Sequence, residues 1–397
     1  MSAERPDILI IMSDQHTARI MRCAGDEVVD TPNMDALAAA GTRFSAAQTV
    51  CPLCVPSRCA FMTGRLPSAT GVFSNNAIMP SELATLAHSA GAAGYDTVLC
   101  GRMHFSGQDQ RHGFARRIMG DFTPCIQGRS GTLRDDLGPY VCTPAGDWDK
   151  HIGGGDSPVL AYDRAVVEAA CAELERDHDR PLLLVVGTYG PHHTFVAPEA
   201  LYQKYKQRVG MPCPSDQCDM IPYDRGHVDG RPLDADKVRD IRAAYYGMVE
   251  QMDNHLGTLR TAWDAATARR QRPAVLAYTS DHGEQAGERG LWGKVTFFAE
   301  SLGVPLLIAG TDIVAGAVCD RPVSLLDLAA TICDWAGFAA GRWPQLGAGL
   351  ARRGLTSADG DRRAVARGTI RPRHHHRTLG LLVCRGPRGG DADRSAQ

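Results

Sequence analysis

The chain has 397 residues, 44% of them hydrophobic, and Lys+Arg 43 against Asp+Glu 45 leaves a formal net charge of -2. That length suits about two to three ordinary domains, or one large α/β sheet. The charge balance gives no reason to expect nucleic acid or an anionic membrane surface as a partner, and no apolar run approaches the roughly 20 residues of a membrane span.

The first apolar run, "DILIIM" (Asp7 to Met12), reads as a buried strand. It is too short, and too soon interrupted by Asp14, to be the core of a signal peptide. A cytoplasmic protein with reduced thiols is therefore expected. The 13 cysteines are an odd number scattered over a long chain, which does not suggest a disulfide framework. "TPNMDALAAAG" predicts a helix capped by Thr31, with Pro32 in its first turn and Gly41 as its stop.

"SELATLAHSAGAAG" predicts a second helix and "YDTVLCG" the strand after it. The Gly-, Asp- and Pro-rich stretch from Phe105 to Ser157 reads as long surface loops. "AYDRAVVEAACAELERD" has helical periodicity and leads into the strand "PLLLVVGTYG". An amphipathic segment runs from about Asp234 to Arg270, followed by the strands "AVLAYTSD" and "VPLLIAG" and the helix "SLLDLAATICDWAG". Continuous apolar strands alternating with helices predict an α/β fold, with a large, mostly parallel sheet covered by helices on both faces.

After Gly337 the chain turns Arg- and Gly-rich with little periodicity. Residues 1–337 are expected to form the catalytic domain, and 338–397 a poorly ordered tail or a truncated C-terminal subdomain. No aromatic residues interleave the tail's arginines as a nucleic-acid module would require. Its triplet His374, His375 and His376 cannot converge on one helix face, so no metal site is expected there.

Two strands end alike. "ILIIMSDQH" brings Asp14 and Gln15 to the end of the first, and "VLAYTSDHGEQ" brings Asp281 and His282 to the end of a later one. The carboxyl ends of strands are where open α/β sheets bind ligands. Two carboxylates, an amide oxygen and an imidazole make a plausible divalent-metal site. The alternative is a pair of helix caps or turns, but two matching ends favour the metal.

"TVCPLCVPSRCAFMTGR" places Cys51, Cys54 and Cys59 within nine positions. Cys51 to Cys54 has CxxC spacing, but no second ligand pair matches it, since Cys213 to Cys218 is spaced wrongly. Pro56 suits the first turn of a helix. Cys54 would then sit at a helix N-terminus, where an oxyanion is stabilised, with Cys51 and Cys59 as bystanders.

Cys54-Val55-Pro56-Ser57-Arg58, with Thr63-Gly64-Arg65 downstream, resembles the signature of the type I sulfatases of the alkaline phosphatase superfamily. The resemblance extends from Arg5 to about Gly337 through "RPDILIIMSDQH", "TPNMDALAAAGTRF", "GRMHFSGQDQRHGF", "YYGMVEQMDNHLG", "SDHGEQAGERGLWGK" and "SLLDLAATICDWAG", and is most similar to the choline-sulfatase branch.

The resemblance implies an alkaline-phosphatase-like fold whose smaller C-terminal subdomain is reduced or missing here. It implies that a formylglycine-generating enzyme oxidises Cys54 to formylglycine, the nucleophile towards a small organic sulfate monoester. The metal set it implies is Asp14, Gln15, Cys54, Asp281 and His282. The ion is Ca2+, with Mn2+ or Zn2+ also admitted by the nitrogen ligand. Asp281 is the implied base, Arg58 holds the modified residue, and Lys294 contacts sulfate. His104 assists release, and His192 is the implied general acid.

Arg102 stands where the family usually has lysine, which keeps the charge but not the compact ammonium. A choline-type substrate would need an aromatic or acidic cage, for which Tyr140, Trp148 and Tyr189 are available. The competing readings are a phosphonate or phosphate ester hydrolase with the same apparatus, and a catalytically decayed binding protein. Oligomeric state is not legible, and a homo-oligomer is admitted.

Overall fold

The computed structural model describes residues 5–122, 151–212, 227–228 and 231–338. At its centre lies β1 (Asp7–Asp14), every residue of which is buried. A strand covered on both faces needs apolar side chains on both, which explains the unbroken run "DILIIM".

The other strands of the main sheet are β2 (Gly41–Phe44), β3 (Asp96–Gly101), β4 (Arg116–Met119), β5 (Leu182–Pro191), β6 (Ala274–Ser280), β7 (Leu306–Gly310) and β8 (Ala317–Cys319). They form an eight-stranded sheet in the order β8-β2-β7-β6-β1-β5-β3-β4. Only β7 runs antiparallel to its neighbours, so the mostly parallel sheet expected from the sequence is present.

The two-residue period of β1 divides the core. Leu9 and Ile11 pack into one cluster with Met34 of α1 (Pro32–Ala40), Val166 of α4 (Pro158–Leu174), Tyr205 of α5 (Glu199–Lys206) and Leu256 of α6 (Ala235–Arg270). Ile8, Ile10 and Met12 pack into the other with Phe61 of α2 (Cys54–Thr63), Leu86 of α3 (Leu86–Ala92) and Leu328 of α7 (Leu325–Trp335). Helices therefore cover both faces.

The structure differs from the sequence reading in places. The segment read as loops from Phe105 contains the edge strand β4, which pairs with β3. Its arginines and partly buried faces hide a strand pattern. The helix expected from Ser81 begins only at Leu86, because the Thr85 side chain accepts the His88 N–H and caps it there. Thr31 precedes α1 as expected, but its hydroxyl accepts the Arg22 N–H instead of capping the helix. The tail 339–397, Tyr140, Trp148, Cys213 and Cys218 lie outside the described residues. Among the described residues, no helix is long and apolar enough to cross a membrane.

Candidate active site

Four adjacent parallel strands, β6, β1, β5 and β3, deliver side chains to one place at their carboxyl ends. Asp14 ends β1, Asp281 follows β6, His192 follows β5 and Arg102 follows β3. The strands must approach closely here: Arg102 donates its N–H to the Gly187 carbonyl at 2.8 Å, and a Cβ at Gly187 would lie 1.7 Å from the Arg102 carbonyl oxygen. Only glycine fits there.

Helix α2 starts at Cys54 and buries every one of its residues. Its first two turns aim Cys54 and Arg58, four residues apart on one face, at the strand ends. Arg58 Nε donates to Asp281 Oδ2 at 2.8 Å and Nη2 to Asp14 Oδ2 at 3.0 Å. Asp14 Oδ2 also accepts from Arg102 Nε at 2.5 Å. Burial and the nearby Cys54 oppose ionisation of Asp14, but Arg102, His192 and Arg58 outweigh them and hold its carboxyl far below the usual range.

The thiols separate by environment. Burial pushes Cys59 up to about 11 and raises Cys51. Cys54 is buried too, yet Lys294 and His282, with His104 and His192 beside it, draw it well below the ordinary thiol value. The cysteines recorded among the described residues are free thiols.

The imidazoles are set by their second nitrogens. His282 Nδ1 lies 3.0 Å from the Gly283 carbonyl and so donates to it; its Nε2 then faces Cys54 Sγ at 3.1 Å. Burial opposes charging of His282, but Asp281 and Cys54 raise its pKa. His192 Nδ1 likewise donates to the His193 carbonyl at 2.7 Å, so its Nε2 accepts from Lys294 Nζ at 2.6 Å. Burial and then Lys294 lower the His192 pKa. His104 Nδ1 must accept from Arg102 Nη2 at 2.9 Å, since a guanidinium only donates, and this leaves Nε2 to donate towards Cys54. Gln15 and His104 both adopt positive φ, 67° and 53°, a conformation that non-glycine residues hold only where surroundings enforce it.

Ligand atoms of Asp14, Cys54, Asp281 and His282 all lie within 4.8 Å of one another, and all four residues are buried. Two carboxylates, a low-pKa thiol and an imidazole with Nε2 turned inward form a donor set that suits a divalent ion. A second group of ligand-type side chains, Asp96, Glu173 and His178, differs: the Arg116 guanidinium bonds both carboxylates, making it an ion-pair network.

The expected catalytic and metal-ligating residues thus meet here, with two differences in detail. Arg102 directs its guanidinium at Asp14, Asp121 and His104. Tyr189, named as a cage residue, lies with its ring 4.5 Å from the Arg102 guanidinium carbon, and so already faces a cation of the protein itself. Three acids escaped the sequence reading. Asp121 accepts the N–H groups of Met103 and His104, Asp163 accepts those of Tyr189 and Gly190, and Glu284 accepts from Gln15. Burial pushes the Asp163 carboxyl up to about 7. Glu284 alone had a local signal, its place two residues beyond His282 in "SDHGEQ".

The sulfatase family model matches residues 6–338. The choline-sulfatase of Rhizobium meliloti (strain 1021) is 35% identical over 365 residues, 85% of this chain and 69% of its own. The multifunctional alkaline phosphatase superfamily protein PehA of Trinickia caryophylli is 27% identical, over 84% of this chain and 74% of its own.

Among solved structures, the phosphonate monoester hydrolase of Agrobacterium radiobacter superposes with a TM-score of 0.67 at 22% identity, covering 84% of this chain and 74% of its own. A protein solved in complex with its substrate D-glucosamine-2-N,6-O-disulfate reaches 0.70 at 20% identity, covering 90% and 82%. The family match over residues 6–338, together with a 35% identical sulfatase relative covered over 69% of its length, places this chain in the sulfatase family of sulfuric ester hydrolases, within the alkaline phosphatase superfamily.

Proposed function

We propose that the protein hydrolyses a small organic sulfate monoester, with residue 54 as nucleophile after a formylglycine-generating enzyme has converted Cys54 to formylglycine. The observation that carries this reading is the place of Cys54: it opens α2, with Sγ 3.1 Å from His282 Nε2, in one buried group with Asp14 and Asp281. The hydrated aldehyde would supply paired hydroxyls, one to attack sulfur and one to drive sulfate release.

Asp14, Gln15, Asp281, His282 and residue 54 would hold a divalent ion, Ca2+ in our reading with Mn2+ or Zn2+ as alternatives. The ion would polarise a sulfate oxygen and favour the ionised nucleophile. The chain's own residues do the rest. Asp281 takes the proton of the attacking hydroxyl. Arg58 bridges Asp14 and Asp281, donating to one carboxylate oxygen of each. Arg102 fixes Asp14 and the His104 ring, so that His104 Nε2–H points at residue 54. Lys294 carries the proton nearest the leaving oxygen, with His192 holding its ammonium in place.

Similarity to a choline-sulfatase supports choline-O-sulfate as the first substrate to test. Similarity to a phosphonate monoester hydrolase supports a second reading, aryl phosphonate hydrolysis at the same site. The deciding experiment is mass spectrometry of the peptide carrying Cys54 after co-expression with the modifying enzyme. The treated protein is then assayed with choline-O-sulfate, aryl sulfate and aryl phosphonate side by side. Aldehyde at position 54 and sulfate turnover support the proposal. A Cys54 left unmodified while a control sulfatase is converted overturns it in favour of a binding-only protein.

A further inference from the structure

We propose that Glu284 is a positioning residue: it fixes the Gln15 amide so that the oxygen, and not the nitrogen, is offered to the metal-ligand cluster. The inference rests on the metal reading of the site given above.

The two ends of an amide differ only in hydrogen-bond direction, so the neighbours must choose its orientation. Here both neighbours agree. Gln15 Nε2 donates to Glu284 Oε2, and Gln15 Oε1 accepts from Lys294 Nζ. Glu284 is itself held. Its Oε1 accepts the Ala286 N–H at 3.0 Å and the Gly293 N–H at 2.6 Å. Both carboxylate oxygens receive donors, and Glu284 is fully buried. Its Oε2 meets the Gln15 amide as an acceptor.

The Gln15 backbone leaves little other freedom. Its N–H donates to Asp281 Oδ1 at 3.1 Å, its carbonyl accepts from the Tyr245 hydroxyl at 2.8 Å, and its φ is 67°. The side-chain amide is what remains to be oriented. A ligand offering N–H to a cation is no ligand, so a flip of this amide would remove one donor from the set. Glu284 also ties Gly293, the residue before Lys294, to the same carboxylate, so one side chain registers both neighbours of the Gln15 oxygen.

This geometry predicts a specific pattern in a double-mutant cycle. In Glu284→Gln, the oxygen of residue 284 is claimed by the Ala286 and Gly293 N–H groups. Its NH2 then faces the NH2 of Gln15, which must flip. In Gln15→Glu, two carboxylates face each other. In the double variant the pair is exchanged: the amide now at position 284 donates to the carboxylate now at position 15, whose other oxygen still faces Lys294 and the cluster.

The test is equilibrium binding of Mn2+ and Ca2+ to the full chain, with thermal unfolding alongside. Wild-type protein binds. Glu284→Gln is expected to bind about 10- to 100-fold more weakly, the usual range for a lost partner of a ligand. Gln15→Glu/Glu284→Gln is expected to return to within a few-fold of wild type.

Unchanged affinity in Glu284→Gln overturns the proposal. So does a double variant no better than Glu284→Gln, which would make residue 284 structural only. If Glu284→Gln does not fold, the double variant decides alone: it folds and binds, or the proposal is wrong. Failure of the wild-type chain to bind either ion would instead strike the metal reading itself, and this inference with it.

Discussion

The Asp121 carboxylate accepts the His104 backbone N–H at 2.6 Å while its other oxygen takes Arg102 Nη1 at 3.1 Å. One side chain thus fixes both the main chain of a catalytic candidate and the guanidinium that orients its ring. His104 holds φ of 53°, and Asp121 Oδ2 also accepts from Met103 N–H at 3.2 Å. Removing it leaves the buried Arg102 with one fewer counter-charge. Asp121→Ala is expected to cost about 3–5 kcal/mol of stability, as loss of one partner of a buried pair does. Urea unfolding measures this directly. Turnover should fall with it even though Asp121 carries no step of the reaction.

Asp121 also marks where the sequence stopped being informative. The fold was legible because its strands are buried on both faces, so "DILIIM" and "LLLVVG" announce themselves as unbroken apolar runs. The strand-end residues Asp14 and Asp281 were legible for the same reason, as polar groups at a fixed place after such runs. Asp121 and Asp163 follow no such pattern. Their partners lie 17 and 26 residues away, and nothing local distinguishes them from surface acids. Arg102 was visible as a charge beside His104, but its targets were not. A side chain with three bonded nitrogens can point at substrate or at protein, and only the position of Asp14 decides it. The edge strand Arg116–Met119 was missed because an edge needs no apolar face, and its arginines read as loop.

Arg58 is the main internal counter-charge between two strand-end carboxylates, bonding Asp281 and Asp14 at 2.8 and 3.0 Å with about 1% of its surface exposed. Arg58→Ala leaves both acids facing each other in a buried site. We expect a loss of about 3–5 kcal/mol in chelator. A divalent ion supplies the missing positive charge, so saturating Ca2+ should recover a measurable part of the deficit. Thermal melts with and without Ca2+ test this; an equal deficit in both buffers would mean that no ion sits between the carboxylates.

His255, buried on α6, has its pKa lowered to about 4, chiefly by burial and then by Arg164. The sign is the reverse of a salt-bridged histidine. The unfolded chain, with an ordinary value near 6.5, takes up the proton first as pH falls. Stability from the neutral ring is complete above about pH 6.5 and is lost progressively towards pH 4. The slope is up to about 1.4 kcal/mol per pH unit, or roughly 2 kcal/mol between pH 7 and 5. His255→Gln should flatten that part of the acid limb, seen as a smaller gap between midpoints of urea unfolding at the two pH values.

Lys294 Nζ meets His192 Nε2 at 2.6 Å and also donates to Gln15 Oε1. Because His192 Nδ1 is committed to the His193 carbonyl, its Nε2 has no proton to give in this arrangement. The ammonium of Lys294 is then the available acid, and His192 its holder. Loss of a positioned acid costs about 10²–10⁴ in rate, but only where the leaving group needs a proton. Lys294→Ala should therefore depress kcat for an alkyl sulfate such as choline-O-sulfate by that range. For nitrophenyl sulfate, whose leaving group departs as a stable anion, the drop should be much smaller. His192→Asn should show the same ordering more weakly, since it removes the acceptor that holds the ammonium and not the proton itself. Steady-state kinetics of both variants on both esters measure this, and equal losses on the two substrates would move Lys294 from proton donor to sulfate binder.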